Sequence, residues 1–169
     1  MGWTSFRKLN PRAGPWNGWL SYTWSRVRDE IDGDELARSW DQTHSVGGGL
    51  SWDGGPWQAT LAGSYHTGWP TTPVRLAEDP SAPPQVELGR RNSARLKDYA
   101  SVDLRISRDF ALSRGDLTVF AEVTNALDRR NPCCTEFSLE PAGNDTVVLE
   151  KDYRHWLPLV PSIGVLWRY

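Results

Sequence analysis

The sequence has no apolar run approaching 18 residues, and its mean hydropathy is negative. A membrane-crossing helix needs about 20 consecutive apolar residues, so none is encoded. A membrane wall built of strands survives that test. Its lipid-facing and lumen-facing residues alternate and average out as hydrophilic. Residues 1–8 offer neither a continuous apolar stretch nor a small-residue cleavage site, so no secretory signal is expected there. A basic excess is also missing. The chain has 19 Lys+Arg against 21 Asp+Glu, a net charge of -2. That balance argues against nucleic acid as a partner, and it is too mild for an acidic tail.

Residues that carry chemistry are sparse. His44, His66 and His155 fall on separate segments without i,i+2 or i,i+4 partners, so no metal is expected. The only two cysteines, Cys133 and Cys134, are adjacent, and no CxxC spacing suggests zinc. They form either a vicinal disulfide, strained but permitted in an oxidising compartment, or two free thiols. No GxSxG, P-loop or dinucleotide fingerprint occurs. Asp103, Arg105 and Glu122 read as cross-strand ion pairs, because nothing around them suggests a pocket with perturbed titration. No catalytic residue and no cofactor is therefore expected.

Helix signals are weak as well. The single candidate, residues 30–40, is interrupted by Gly33 and flanked by aspartates, which favours a loop.

Tryptophan, by contrast, is abundant, with ten in 169 residues. The indole is favoured where one end is apolar and the other wet, as at a membrane–water interface. Alternation with period 2 is equally plain. Leu20, Tyr22 and Trp24 alternate with Ser21, Thr23 and Ser25. Val46, Leu50 and Trp52 share one face of residues 45–52, and Gly47 and Gly49 share the other. Residues 57–65 place Trp57, Ala59, Leu61 and Tyr65 together. Residues 100–108 alternate Val102, Leu104 and Ile106 with polar neighbours. Residues 117–125 and 161–169 do the same, the last with Ile163, Val165, Trp167 and Tyr169 on one face. A shorter strand at residues 3–8 precedes them. Gly47-Gly48-Gly49 reads as close packing or curvature within a strand, not as a phosphate cradle.

Link lengths alternate too. Residues 10–15, 53–56 and 110–116 are short links. Residues 29–38, 68–97 and 126–159 are longer, and rich in Pro and charged residues. Short turns at one end and long loops at the other are the pattern of an outer-membrane barrel. A hairpin around Pro141-Ala142-Gly143-Asn144 is expected inside residues 136–151. Trp16 and Trp24, like Trp57 and Tyr65, are 8 residues apart, roughly 26 Å along a strand at ~3.3 Å per residue. Tilted by ~45°, that spans roughly 19 Å, within an apolar band of ~25 Å flanked by aromatic girdles. With the C-terminus periplasmic, Trp16, Trp52, Trp57 and either Trp167 or Tyr169 are all expected at the periplasmic end.

Several runs resemble the late barrel of TonB-dependent receptors. They are Arg38-Ser39-Trp40-Asp41-Gln42-Thr43-His44, then Tyr65 through Pro73, then Arg95-Leu96-Lys97-Asp98-Tyr99 through Arg105, then Val119 through Asn131 with its Asn125-Ala126-Leu127-Asp128-Arg129-Arg130-Asn131, and the closing Leu157-Pro158 through Tyr169. The resemblance covers nearly all of residues 1–169. It implies a wide barrel of about 22 strands, a plug domain within it and a TonB box before the plug. Of these the sequence has room for six or seven strands and for neither plug nor box. The resemblance also implies that Ile163, Val165, Trp167 and Tyr169 are read by the outer-membrane assembly machinery.

The expected fold is therefore all-β, an antiparallel transmembrane β-barrel segment of six or seven meander strands. The expected role is the C-terminal part of a receptor barrel in the outer membrane of a Gram-negative bacterium. The complete receptor would take up a scarce solute such as an iron–siderophore complex. Its partners would be lipid, the remaining barrel with its plug, and through them TonB. His66 and Trp69, where the third strand meets a loop, are the candidate ligand-facing residues. Two other readings stand beside this one. One is a small self-standing membrane barrel acting as pore or adhesin. The other is a soluble β-sandwich binding carbohydrate through its many Trp.

Overall fold

A computed structural model of the chain describes residues 1–9, 14–77, 84–143 and 146–169, and all regular structure among them is strand. β1 (Gly2–Leu9) and β2 (Trp16–Ser25) come first. A small hairpin of β3 (Arg28–Ile31) and β4 (Asp34–Ala37) follows, then β5 (His44–Gly54) and β6 (Trp57–His66). The next loop carries β7 (Pro70–Thr71), β8 (Val74–Leu76), β9 (Val86–Leu88) and β10 (Ala94–Arg95). β11 (Tyr99–Leu112) and β12 (Gly115–Thr124) precede a long hairpin of β13 (Pro132–Gly143) and β14 (Thr146–His155). β15 (Val160–Arg168) closes the series. Seven of these strands form one sheet in the order β1-β2-β5-β6-β11-β12-β15, antiparallel at every join. The rest pair as β3–β4, β7–β10, β8–β9 and β13–β14.

Two-residue turns join β5 to β6 and β11 to β12, since Gly54 pairs with Trp57 and Leu112 with Gly115. The four two-stranded sheets all lie in the links at the opposite, loop end. The short link expected at residues 10–15, between β1 and β2 at the turn end, lies in part outside the described residues, as does Asn144 of the expected tip. The alternation of link lengths has a plain cause. A meander sheet returns after each hairpin to the same end, so insertions gather at whichever end tolerates them.

The register separates two faces. Leu50, Leu61, Leu104 and Val123 lie side by side on one, each the direct partner of the next. One residue away, Ser51, Thr60, Arg105 and Glu122 lie side by side on the other. We call these the apolar and polar faces. Burial runs opposite to that of a water-soluble core. Apart from Pro70 and Pro132, Leu96 is the one buried aliphatic or aromatic side chain among the described residues, while Asp41, Ser101, Ser107, Thr118, Asn125 and Asn131 are buried polar groups. Leu61, Leu104, Ile106, Ile163 and Val165 are exposed. Buried polar groups and a large exposed apolar patch are the informative departures from ordinary globular packing. Within the described residues no second sheet is stacked on the seven-stranded one, so the inter-sheet core of a β-sandwich is not formed. The large sheet is also open, with β1 and β15 as its edges. It is not a closed barrel.

Three expectations change in detail. The link expected at residues 110–116 shrinks to Ser113-Arg114, because Phe110 pairs with Leu117 and Asp109 with Thr118. The Thr118 hydroxyl donates to Asp109 Oδ1 at 2.5 Å. The loop expected around residues 30–40 contains the β3–β4 hairpin. Asp32 and Gly33 both hold positive φ, 55° and 82°, the Asp-Gly pair that a two-residue hairpin turn demands. The hairpin expected at residues 136–151 extends to Pro132 and His155.

Trp19 explains the glycine run. Its ring lies on the polar face over Gly47 and Gly49, where a methyl on Gly49 would meet the indole nitrogen. Phe6 stacks on Trp19 with centroids 6.5 Å apart. Close packing is thus the role of these glycines.

A candidate functional site at the loop end

Four elements bring aromatic rings together at the loop end. Trp69 lies at the centre. His66 stacks on it at 5.4 Å, and Tyr99 stacks on the other side of His66 at 4.9 Å with parallel planes. Trp40 meets Trp69 edge to face at 4.8 Å, and Trp156 does so at 6.3 Å. His66 and Tyr99 are register partners at polar-face positions, so the cluster crowns the polar side of the sheet. Trp40 remains 70% exposed and Trp156 48%. The Trp69 indole nitrogen is sealed from solvent, with no hydrogen-bond partner among the described residues.

Polar clamps hold this cluster. Asp41, 2% exposed, accepts from the Val27 amide at 2.7 Å and from the Thr43 hydroxyl at 3.3 Å. Arg95 completes its shell with a short charge-assisted bond from Nη2. The other arm of the guanidinium donates to the carbonyls of Asp41 at 3.1 Å and Gly68 at 2.9 Å. Burial alone would raise the Asp41 carboxyl. The Val27 amide, Arg95 and the Thr43 hydroxyl outweigh it and hold the group below the usual carboxylate range.

Asp98 makes the second clamp. Its carboxylate accepts from the Tyr65 hydroxyl at 2.6 Å and the Gly68 amide at 2.9 Å. Those two bonds, the Tyr65 hydroxyl first, lower its pKa against a modest burial penalty. Arg129 donates to the Asp98 carbonyl at 2.9 Å. A methyl on Gly68 would run into the Leu96 carbonyl, so only glycine fits between the two clamps.

The third loop is tied by two asparagines. Asn131 donates to and accepts from the backbone of Ala100. Asn125, held at φ 50°, caps the Arg129 amide and donates to the carbonyls of Arg129 and Leu157. Asn92 joins the first two loops through the Ala37 carbonyl at 2.7 Å and the Ser39 hydroxyl.

Each tryptophan of the cluster is placed by one of these ties. Trp40 precedes Asp41, Trp69 follows Gly68, and the Trp156 amide donates to the Asn131 carbonyl at 2.9 Å. Preorganised rings need not be ordered when something binds them, which lowers the cost of association.

His66 and Trp69, expected to face a ligand, thus lie together in the cluster. Trp40, Tyr99 and Trp156 were not among the expected site residues. Trp40 and Tyr99 stand inside the two Asp-bearing runs, which was the signal available for them. Ile163, Val165 and Trp167 share the apolar face of β15 by register with Ala121, Val119 and Leu117. The Trp167 and Tyr169 rings are 5.8 Å apart, and the Trp167 indole donates to the Arg114 carbonyl. Arg105 and Glu122 form the expected cross-strand ion pair at 2.8 Å, with the guanidinium over the Phe120 ring. Asp103 does not join it. Its carboxylate takes the Ser101 hydroxyl and the Asn125 amide instead. Cys133 and Cys134 are free thiols in this structure. Cys133 is the extra residue of a β-bulge between Pro132 and Cys134. The other histidines lie apart. His44 meets the Tyr22 hydroxyl at 2.8 Å, and His155 pairs with Pro132 at the base of the long hairpin.

The chain matches no family model, no curated protein and no solved structure.

Proposed function

We propose that this chain is a C-terminal wall segment of an outer-membrane barrel of the TonB-dependent receptor kind. Its loop end faces outward and its polar face lines the lumen. One observation carries the reading. The sheet buries polar groups and exposes an unbroken apolar face over six adjoining strands, bounded by aromatics at both ends. At the turn end Trp16 and Trp52 are direct partners, Trp57 follows, and Arg108 sits between the Trp57 and Phe110 rings. At the loop end Trp3, Tyr22 and Trp24 stand on the same face. Lipid is the solvent that tolerates such a surface, and rings with one wet edge gather at its borders.

The five-ring cluster then takes on the role of ligand capture. Interfacial tryptophans belong on the lipid face, but His66, Tyr99 and Trp69 crown the lumenal one. Lipid anchoring does not account for them. In the complete receptor the cluster receives the incoming solute, with uptake powered through plug and TonB. Cell fractionation tests the membrane assignment. The chain should follow outer-membrane vesicles and leave them only with detergent, and recovery in the aqueous fraction without detergent overturns the reading.

A further inference from the structure

The hairpin of β13 and β14 is separate from the large sheet, its strands paired only with each other among the described residues. A lone two-stranded hairpin is marginally stable in water. Its two faces differ. Leu139 pairs with Leu149 and Pro141 with Val147 on one. Glu136 pairs with Asp152 and Ser138 with Glu150 on the other. A slip of one residue would carry every side chain of one strand to the wrong face.

The bulge at Cys133 sets that register. Pro132 pairs with His155 and Cys134 with Arg154, so Cys133 has no residue opposite it. Successive side chains of a regular strand point to opposite sides. The bulge cancels that alternation and brings the two sulfurs into hydrogen-bond contact at 2.8 Å. Cys134 is exposed and Cys133 half-buried, so a reagent can reach the pair.

We propose that Cys133 and Cys134 are a reversible dithiol–disulfide site, and that its oxidation locks the bulge and with it the register of the hairpin. The oxidant is a disulfide on another molecule. One cysteine, as thiolate, attacks a sulfur of the oxidant and displaces one thiolate, leaving a mixed disulfide. The second cysteine, as thiolate, attacks the protein sulfur of that bond and displaces the other thiolate. One S–S bond breaks and one forms. Two electrons pass to the oxidant, which leaves as two thiols carrying the two protons.

The pair suits a switch better than a permanent brace. Adjacent Cα atoms are only ~3.8 Å apart, whereas disulfides usually span ~4.4–6.8 Å. A strained, exposed bond is readily reduced again, as labile and regulatory disulfides are. Its place also limits what it controls. Asn131, tied to Ala100, holds the Trp156 amide on its carbonyl at the foot of the hairpin. That tie lies on the wall side of the bulge. Oxidation therefore fixes the hairpin beyond it and leaves the ring cluster in place.

Oxidised glutathione tests this on the purified full chain, with dithiothreitol to reverse it. Both titratable thiols should be lost, with a fall in intact mass equal to two hydrogens, in a peptide that carries both cysteines. Amides of residues 134–154 should then exchange severalfold more slowly and recover with dithiothreitol. The Ala100 amide should exchange as before. Cys133→Ser and Cys134→Ser should each gain one glutathionyl group and show no slowing. Two glutathionyl groups on the parent chain, a link between two chains, or thiols that stay titratable overturn the proposal. So does a closed ring that leaves exchange in the hairpin unchanged. These readouts hold whichever fraction yields the chain, so recovery in water refutes the membrane reading alone.

Discussion

Asn131 pairs with Ala100 as though it were a strand. Its Oδ1 accepts from the Ala100 amide at 3.0 Å, and its Nδ2 donates to the Ala100 carbonyl at 2.8 Å, with the side chain 1% exposed. One amide side chain thus satisfies both backbone groups of a residue 31 positions away. It also anchors the long third loop to the start of β11.

Asn131→Ala leaves both Ala100 groups buried without a partner. A buried group left unsatisfied costs about 1–3 kcal/mol. Hydrogen exchange at the Ala100 amide should accelerate, and residues 132–155 should become open to protease. Asn131→Asp keeps the acceptor, loses the donor and adds a charge, so it should fare no better. Unchanged exchange in Asn131→Ala would show the loop to be held elsewhere.

The Asp41–Arg95 clamp predicts a pH dependence. Both Asp41 and Asp98 have lowered pKa values. A group depressed in the folded state contributes stability above its unfolded value, ~3.9 for Asp, and loses it as pH falls through the folded value. Loop structure, read by tryptophan fluorescence, should be constant from neutrality to about pH 5 and fail only below about pH 4. Asp41→Asn should remove the acid transition of this clamp and cost about 1.5–3 kcal/mol, the worth of a hydrogen bond to a charged group. Arg95→Lys should not restore it, since an ammonium cannot reach Asp41, Gly68 and Thr43 in one planar fork.

Gly68→Ala places a methyl against the Leu96 carbonyl. Overpacking of this kind costs about 1–3 kcal/mol. Trp69 should shift off His66, and near-ultraviolet circular dichroism from the coupled rings should weaken while far-ultraviolet strand signal persists. A spectrum identical to that of the parent chain would argue that the cluster is not held through Gly68.

Neighbouring residues on opposite faces give a sharp contrast. Leu50→Lys puts a charge in the middle of the apolar face, where the penalty in a bilayer is about 2–4 kcal/mol. Ser51→Lys, one residue on, faces the polar side and should change membrane stability by less than about 0.5 kcal/mol. Abundance in the outer membrane and resistance to extraction should fall for Leu50→Lys alone. Equal behaviour of the two variants would contradict the lipid assignment.

How much of this was legible beforehand follows from the range of the forces involved. Six strands of the large sheet and their faces, and the place of a shorter first strand, could be read from period-2 alternation, because a strand side chain points to one side or the other whatever its neighbours do. Strand ends were less legible. β11 and β12 run on past Arg108 because Phe110 and Leu117 find each other across the turn, which alternation within one strand cannot reveal. His66 and Trp69 could be placed at a strand–loop junction. Their companions Trp40 and Trp156 could not be joined to them, since Trp40 is 29 positions from Trp69 along the chain and Trp156 is 87 positions away, with no periodicity between.

By itself, then, the sequence determined what repeats locally: strands, their two faces, and short turns opposite long loops. Only the tertiary structure decided which distant polar groups meet. Asp41 and Arg95 are 54 residues apart, and irregular loops carry no repeat that would announce such a partner. Their pairing is selected by the need to satisfy buried charge once the loops converge. The tertiary structure also settled that both edge strands run from the loop end to the turn end. That is a property of the whole sheet, present in no single strand.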